Sequence, residues 1–509
     1  MDSSGNIFSA LASGFGVAAT PENLLFGILG VTLGTAVGVL PGLGPAVAIS
    51  LLLPLTFGLD PIAAFIMFGG IYYGAMYGGA TTAILVNTPG CSSSAVSTFD
   101  GNPLAKSGRA GTALMAAIVG SFIGGTFATL MLMLLAPTLV ELALLFGPPE
   151  YFALMLFALT MVASIGGKSL AKAVFATLLG CAIAMVGIDL QTGVARMTFG
   201  IPELASGINV VLAGIGLFAV GEGLWIAAGG GEGENKEYSA VGKKLWMTAN
   251  EWRRSAFAWL RGTVLGFFAG ILPGSGGTLA TFIAYGIEKR VSKRSQEFGQ
   301  GVVEGVAAPE AANNAAAGGS MVPLLALGIP GSATTAVMLV AFQIYGLQPG
   351  PLLFENSGDL VWGLIASLYI ANVLLVVLNL PLVGVWAKLL QLPKGTLYSA
   401  VLVFSTLGAY SLKGSIGDVA IVYALGILAF GLRRFGFPVA PVLLGIVLGP
   451  LIEQEFRRSL SMSAGDYSVF LTRPIALTLL VLTVLSITAS AFKKKTETSV
   501  INPQMSESA

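Results

Sequence analysis

The sequence predicts an all-α polytopic membrane protein built from two inverted-topology repeats with re-entrant helical hairpins. Three observations predict it. Of the 509 residues, 55% are hydrophobic and only 10% charged, against about 25% charged in a soluble globular chain. Apolar runs recur from end to end, among them Ala110–Ala136, Leu204–Ala228, Leu360–Val383 and Pro474–Phe492. Each is long enough to cross a hydrocarbon core of about 30 Å. Finally, two matching helix-breakers, GVLPGLG (38–44) and GILPGSG (270–276), interrupt apolar stretches in different halves of the chain. Pro lacks an N–H and Gly loses much freedom on ordering, so the pair stops a helix where it stands.

The composition also excludes functions. A net charge of +1 carries no nucleic-acid footprint. The chain has no histidine, which removes histidine metal sites, triads and proton relays. Cys91 and Cys181 stand in no metal or redox spacing and read as small buried residues. The stretch SIGGKS (164–169) ends like a phosphate loop, but Val162 occupies the position where that loop needs glycine. With no nucleotide site, transport through such a chain is expected to be ion-coupled rather than ATP-driven. The first residues, MDSSGNIFSALASGFG, lack the basic region of a cleaved signal peptide.

The helix-breakers belong to a longer internal likeness. GVTLGTAVGVLPGLG (30–44) and GTVLGFFAGILPGSG (262–276) share eight of fifteen positions, including Gly30/Gly262, Gly34/Gly266, Gly38/Gly270 and Pro41/Pro273. A second pair follows in the same order: GGATTAILVNTPGCSSSAV (78–96) resembles GGSMVPLLALGIPGSATTAV (318–337), with Pro89-Gly90 matching Pro330-Gly331. Two matches in one order indicate an internal duplication.

Lys and Arg set the orientation, because they favour cytoplasmic loops. Lys243, Lys244, Arg253, Arg254 and Arg261 precede the second LPG motif, and Lys289, Arg290, Lys293 and Arg294 follow it. Between those charges, two limbs of about 13 residues would reach about 20 Å each, which predicts a re-entrant hairpin. In the first half, Lys106 and Arg109 follow the NTPG segment, whereas Leu347–Leu360 after the GIPG segment carries neither residue. The two halves therefore read with opposite topology. The LPG hairpin of the first half (Asn23–Leu59) is also long enough for two steep crossings. Counting about eleven full spans places most basic clusters on one side, with Lys413, Arg457 and Arg458 as exceptions. The domain boundaries follow: a first membrane repeat at 1–227, a cytoplasmic linker at 228–261, a second repeat with extra spans at 262–492, and a polar cytoplasmic tail at 493–509.

Unpaired backbone is tolerated in a membrane only where protein or water covers it. Four Pro-Gly breaks thus predict a shared, buried, partly wet centre. Helix N-termini exposed there can hold an anion without Lys or Arg, and freed carbonyls with hydroxyl or amide oxygens can hold a sodium ion. The candidate substrate contacts are Pro41, Gly42, Asn87, Thr88, Pro89, Gly90, Ser92, Pro273, Gly274, Ser275, Pro330, Gly331 and Ser332. The competing reading is that small residues only serve close helix packing. The stretch EGVAAPEAANNAAAGGS (304–320) is the least ordinary: it occupies the place of a span in the first half yet carries acids and amides, which are costly in a membrane and tend to be functional. It reads either as that or as a solvated helix. Glu310, Asn313, Asn314 and Thr334 are the candidates for a coupling ion, sodium or a proton. Tyr72, Tyr73 and Tyr77 read as packing.

Three stretches carry a family resemblance: YGIEKRVSKRSQEFGQGVVEGVAAPEAANNAAAGGSMVPLLALGIPGS (285–332), GIYYGAMYGGATTAILVNTPG (70–90) and FDGNPLAKSGRAG (99–111). They resemble the large membrane subunit of tripartite tricarboxylate transporters, over most of the chain to about Pro450. The resemblance implies a bacterial inner-membrane secondary transporter that imports tri- or dicarboxylates such as citrate. It implies a periplasmic solute-binding protein and a small membrane subunit as partners, an ion gradient as driving force, sodium first, and an elevator-type movement of the hairpins against a scaffold. No other cofactor, no nucleic acid and no enzymatic reaction are expected. A passive anion channel on the same broken helices is the alternative. An intramembrane enzyme ranks below both, because acid pairs are sparse.

Overall fold

Helix starts in this chain are written in its caps. Thr20 and Asp60 each stand before a Pro and accept a backbone N–H of the first turn, the usual economy of a helix start. Thr248 and Glu251 form a reciprocal capping box. In the computed structural model the backbone is described for residues 3–40, 42–165, 169–189, 192–229, 246–272, 276–390 and 394–500.

The helices in order are α1 (Ser3–Ala18), α2 (Pro21–Val39), α3 (Pro45–Leu52), α4 (Pro61–Val86), α5 (Ser97–Leu104), α6 (Ala110–Ala143), α7 (Pro148–Ile165) and α8 (Leu170–Ala184). A two-stranded ribbon, Gly187–Ile188 with Ala195–Arg196, follows. Then come α9 (Pro202–Ala205), α10 (Val210–Gly214), α11 (Gly221–Ala227), α12 (Ala249–Ile271), α13 (Gly276–Val291), α14 (Glu304–Leu327), α15 (Ala333–Ile344) and α16 (Pro351–Asn356). The chain closes with α17 (Gly358–Leu389), α18 (Lys394–Lys413), α19 (Ile416–Arg434), α20 (Ala440–Met462), α21 (Val469–Thr472) and α22 (Pro474–Val500).

Six stretches among the described residues are long and apolar enough to cross a membrane: Pro21–Val39, Pro61–Val86, Ser92–Ala143, Val210–Ala227, Gly358–Trp386 and Ile416–Arg434. The expected count was about eleven full spans. Several other apolar helices among the described residues, such as Pro45–Thr56 and Ala333–Ile344, are shorter limbs. Of the four apolar runs, Leu204–Ala228 is interrupted: α10 starts only at Val210, after Gly207 turns the chain with φ +76°.

The chain forms two compact units. One takes Met1–Ala143 and Asn209–Gly431, the other Leu144–Ile208 and Leu432–Ala509. In the second unit, α8 and α20 pack backbone to backbone: a Cβ on Gly180 would overlap the Val442 carbonyl, and one on Gly445 the Thr177 carbonyl. Several of its charges are paired. Arg196 reaches Asp189 and, at 2.9 Å, Glu453; Arg457 reaches both at 3.1 and 2.6 Å. Arg457 and Arg458, exceptions to the expected orientation, thus sit in ion pairs, Arg458 with Glu455 at 2.9 Å.

The first unit holds all four matched segments. Its second LPG hairpin has longer limbs than the charge pattern suggested: α12 has 23 residues and α13 has 16, or about 35 and 24 Å. Lys and Arg are good helix formers, and Arg254 and Arg261 lie within α12 in ion pairs. Arg261 grips Glu288 of α13 with two nitrogens at 2.7 Å, Arg254 meets the buried Glu304 at 3.1 Å, and Arg109 meets Glu251. A forked guanidinium–carboxylate pair is strong and directional. Arg261→Lys, which keeps the charge and loses the fork, is expected to lower stability by about 1 kcal/mol in a denaturation measured on the full chain. The linker range 228–261 lies partly outside the described residues, and α12 begins within it.

Candidate functional site

The site is built on two backbone-to-backbone helix pairs. On α2, a Cβ at Gly30, Gly34 or Gly38 would overlap the carbonyl of Met67, Ile71 or Ala75 on α4. On α12, the matching Gly262, Gly266 and Gly270 meet the carbonyls of Ala308, Ala312 and Ala316 on α14 in the same way. Glycine every fourth residue gives each helix a flat stripe, and the neighbour closes to backbone contact. These glycines, read from sequence as signs of a duplication, thus serve close helix packing in both halves.

Each pair ends in a break of the same form. α4 stops at Asn87 (φ +54°) and α14 at Gly328 (φ +70°), both left-handed. Only Gly or a short amide enters that region readily at a helix end. The chain then turns through Pro89-Gly90 and Pro330-Gly331. Gly90 lies against the Gly38 carbonyl, and Gly331 would carry a Cβ 3.2 Å from the Gly270 carbonyl. New helical turns start at Cys91, capped with Ser94, and at Ser332, capped with Thr335. In the Ser332–Thr335 box the Ser332 N–H donates to Thr335 Oγ1 at 2.8 Å and the Thr335 N–H to Ser332 Oγ at 3.2 Å.

The breaks meet crosswise. The α13 start packs on the Ser92–Val96 turn, and α3 packs on α15. Thr278 Oγ1 donates to Ser92 Oγ at 2.9 Å. Gly42, with φ +85°, donates its N–H to the Gly90 carbonyl at 3.0 Å. Gly277 faces Asn313 Oδ1, Met76 and Ser93, each about 3 Å from where its Cβ would stand.

At the GIPG break a buried hydroxyl cluster forms around Tyr72. Its Oη lies 3.0 Å from Ser320 Oγ and 3.3 Å from Ser332 Oγ, with Thr334 and Cys91 also beside it. This group carries no charge and has many reorientable O–H donors. With the first amides of α15 it offers donors to a carboxylate without any Lys or Arg.

The segment 304–320 is a buried helix, not a solvated one: Glu310, Asn313 and Asn314 have no exposed surface. The four ion candidates separate. Glu310 and Asn313 face α4 and α5: Ser97 Oγ donates to Glu310, and Asn313 Nδ2 donates to the Met76 carbonyl at 3.3 Å. Asn314 turns to α6, donating to Ser121 Oγ at 2.7 Å. Thr334 belongs to the Tyr72 cluster. Among the substrate candidates, Thr88 bonds back to the Val86 carbonyl at 3.4 Å, Pro89 is half-buried, and Gly90, Pro330 and Gly331 are buried. Pro41, Pro273, Gly274 and Ser275 lie outside the described residues.

Sequence reasoning missed several of these groups. Tyr72 was expected to pack, yet its hydroxyl joins both sides of the GIPG break. Aligning Asn87 with Gly328 puts Tyr72 at the position of Asn313, a signal the sequence did carry. Cys91, read as a small buried residue, is the cap matching Ser332. Glu222, buried on α11, points its carboxylate at the place a Gly42 Cβ would fill. Asp100, on α5, is fully buried: its Oδ1 accepts the N–H groups of Gly299, Gly301 and Val302 at 2.8–2.9 Å, and its Oδ2 the Tyr285 hydroxyl at 2.9 Å.

Comparison with known proteins gives the family of the sequence. An uncharacterised 52.8 kDa protein of Agrobacterium vitis, from the TAR-I ttuC' 3' region, is 46% identical over 479 residues, 93% of this chain and 94% of its own. A second uncharacterised A. vitis protein, from the TAR-II ttuC' 3' region, is 48% identical over 215 residues, 42% of this chain and 89% of its own. No solved structure matches. The pattern of the tripartite tricarboxylate transporter TctA family covers residues 24–444, all four breaks included, and the chain belongs to that family.

Proposed function

We propose that the chain is the permease subunit of a binding-protein-dependent secondary transporter that imports tri- or dicarboxylate anions across the bacterial inner membrane. Its partners are a periplasmic solute-binding protein and a small membrane subunit, and an ion gradient, sodium first, drives it. One observation carries this reading beyond the family: the breaks converge in one unit with neutral donors at their tips, the Tyr72–Ser320–Ser332 cluster foremost. A carboxylate held by hydroxyls and helix N-termini can be released to either side, because no fixed cation has to be left unpaired. The same glycine ladder in each half, and the crosswise meeting of α3 with α15 and of α13 with the Ser92–Val96 turn, support two halves related as inverted repeats. All four breaks belong to one compact unit, which supports an elevator-like movement of that body. Crosslinks that fix the tips in place and leave uptake intact would refute this movement.

The test is uptake of radiolabelled citrate by proteoliposomes holding the chain with its small subunit. Accumulation should need both an inward sodium gradient and the binding protein. Passive equilibration without either would instead show a channel. Tyr72→Phe and Ser332→Ala are each expected to raise KM about tenfold, the loss of one buried hydrogen bond to substrate at about 1.4 kcal/mol. Unchanged KM in both would remove the cluster from the substrate path.

A further inference from the structure

The geometry points to a sodium site at the α4–α5–α14 junction, formed by Tyr77, Thr81, Glu310 and Asn313 and distinct from the Tyr72 cluster. It deepens the permease reading above and rests on it for its role in coupling. Four side-chain oxygens there are buried and find no hydrogen-bond partner outside their own group: Tyr77 Oη, Thr81 Oγ1, Glu310 Oε2 and Asn313 Oδ1. All four residues have no exposed surface. Native proteins leave few such groups unpaired, so several on adjoining faces call for a missing partner.

The faces do adjoin. Tyr77 and Thr81 are one turn apart on α4, and Glu310 and Asn313 one turn apart on α14. The Tyr77 hydroxyl lies beside Thr81 and within electrostatic reach of Glu310, and Asn313 lies beside the same carboxyl. Ser97 of α5 donates to the other carboxylate oxygen, which leaves Oε2 facing this group. Among the described residues, no Lys or Arg acts on the carboxyl. One buried carboxylate without a counter-charge among neutral oxygens matches one monovalent cation; a divalent ion would leave a buried charge uncompensated. Hard oxygen donors of this kind suit sodium.

The position gives the site a consequence. Glu310 and Asn313 come from the second half and Tyr77, Thr81 and Ser97 from the first, so a cation there ties the halves. Asn313 Oδ1 also lies 2.9 Å from where a Gly277 Cβ would stand, next to the Thr278–Ser92 bond. An ion that orders Asn313 thereby steadies two breaks at once. Asn314 and Thr334, which face elsewhere, are not ligands.

The test is the melting temperature of the purified full chain with its small subunit, in sodium chloride against choline chloride at constant ionic strength. Sodium should raise it saturably in the wild type. Glu310→Gln and Thr81→Val should abolish the rise or weaken the apparent sodium affinity about tenfold or more. Thr81→Ser, which keeps the hydroxyl, should retain it, as should Asn314→Ala. If Glu310→Gln does not fold, the Thr81→Val and Thr81→Ser pair decides. A sodium shift undiminished in Thr81→Val and Glu310→Gln overturns the site, as does a wild type that responds to pH and not to sodium. The two readings fail separately: sodium-driven citrate uptake with the shift intact in Glu310→Gln removes the site and leaves the permease, whereas the expected shift pattern with sodium-indifferent uptake leaves the site and removes its coupling role.

Discussion

Asp100→Ala is expected to lower stability by about 3–5 kcal/mol and to abolish uptake. The carboxylate of Asp100 stands on α5, just past the NTPG break, and accepts three backbone amides from the loop 299–302 that leads into α14. Gly299 is exposed and Gly301 half-buried, so water can take over part of their pairing, but Val302 is buried and its N–H would be left unpaired at about 1–3 kcal/mol. The loop also sets where Glu304 and Glu310 enter the membrane core, so the loss reaches function through α14. Asp100→Asn keeps one acceptor oxygen and loses the charge, and should fall between wild type and alanine. Tyr285→Phe, which removes only the hydroxyl on Oδ2, should cost about 1 kcal/mol. Chemical denaturation of the purified chain ranks the three. Equal losses for Asp100→Ala and Tyr285→Phe would contradict the clamp.

The second large effect lies in the glycine stripes. Gly266→Ala should cost about 1–3 kcal/mol, and Gly266→Val more, because the new carbon overlaps the Ala312 backbone and no flexible side chain can yield. Gly34→Ala should behave alike against Ile71. Gly286→Ala is the built-in control. It lies on α13, has ordinary helical φ, and meets nothing within 4 Å of the added Cβ. There the helix preference for Ala over Gly should leave stability unchanged or raise it by up to about 1 kcal/mol. A destabilised Gly286→Ala beside a stable Gly266→Ala would reverse the assignment of the packed faces. The experiment also separates packing from transport: substitutions on the stripes should act on folding, whereas those at Tyr72 or Ser332 should act on KM.

Much of the site could be read from residue order alone. Pro and Gly stop helices through their own backbone chemistry, so all four breaks could be placed, and the two that lie wholly among described residues, at 87–91 and 328–332, are where the motifs put them. The repeated Gly30/34/38 and Gly262/266/270 spacing needed no structure to be noticed, and α14 with its acids and amides stood out by composition. What order alone could not give was the partner of each side chain. Arg254 and Arg261 counted as loop charges because Glu304 and Glu288, their ion-pair partners on α12's neighbours, are distant in sequence. Tyr72 looked like packing because a tyrosine's ring is apolar and its hydroxyl finds Ser320 and Ser332 only after the halves close. Glu310, Asn313, Asn314 and Thr334 looked like one set because they share a chemistry. Helical phase and tertiary packing then turn them to three different neighbours. A residue's chemistry and its effect on the local backbone are properties of the sequence, while the company it keeps depends on contacts across hundreds of residues, and those exist only in the folded chain.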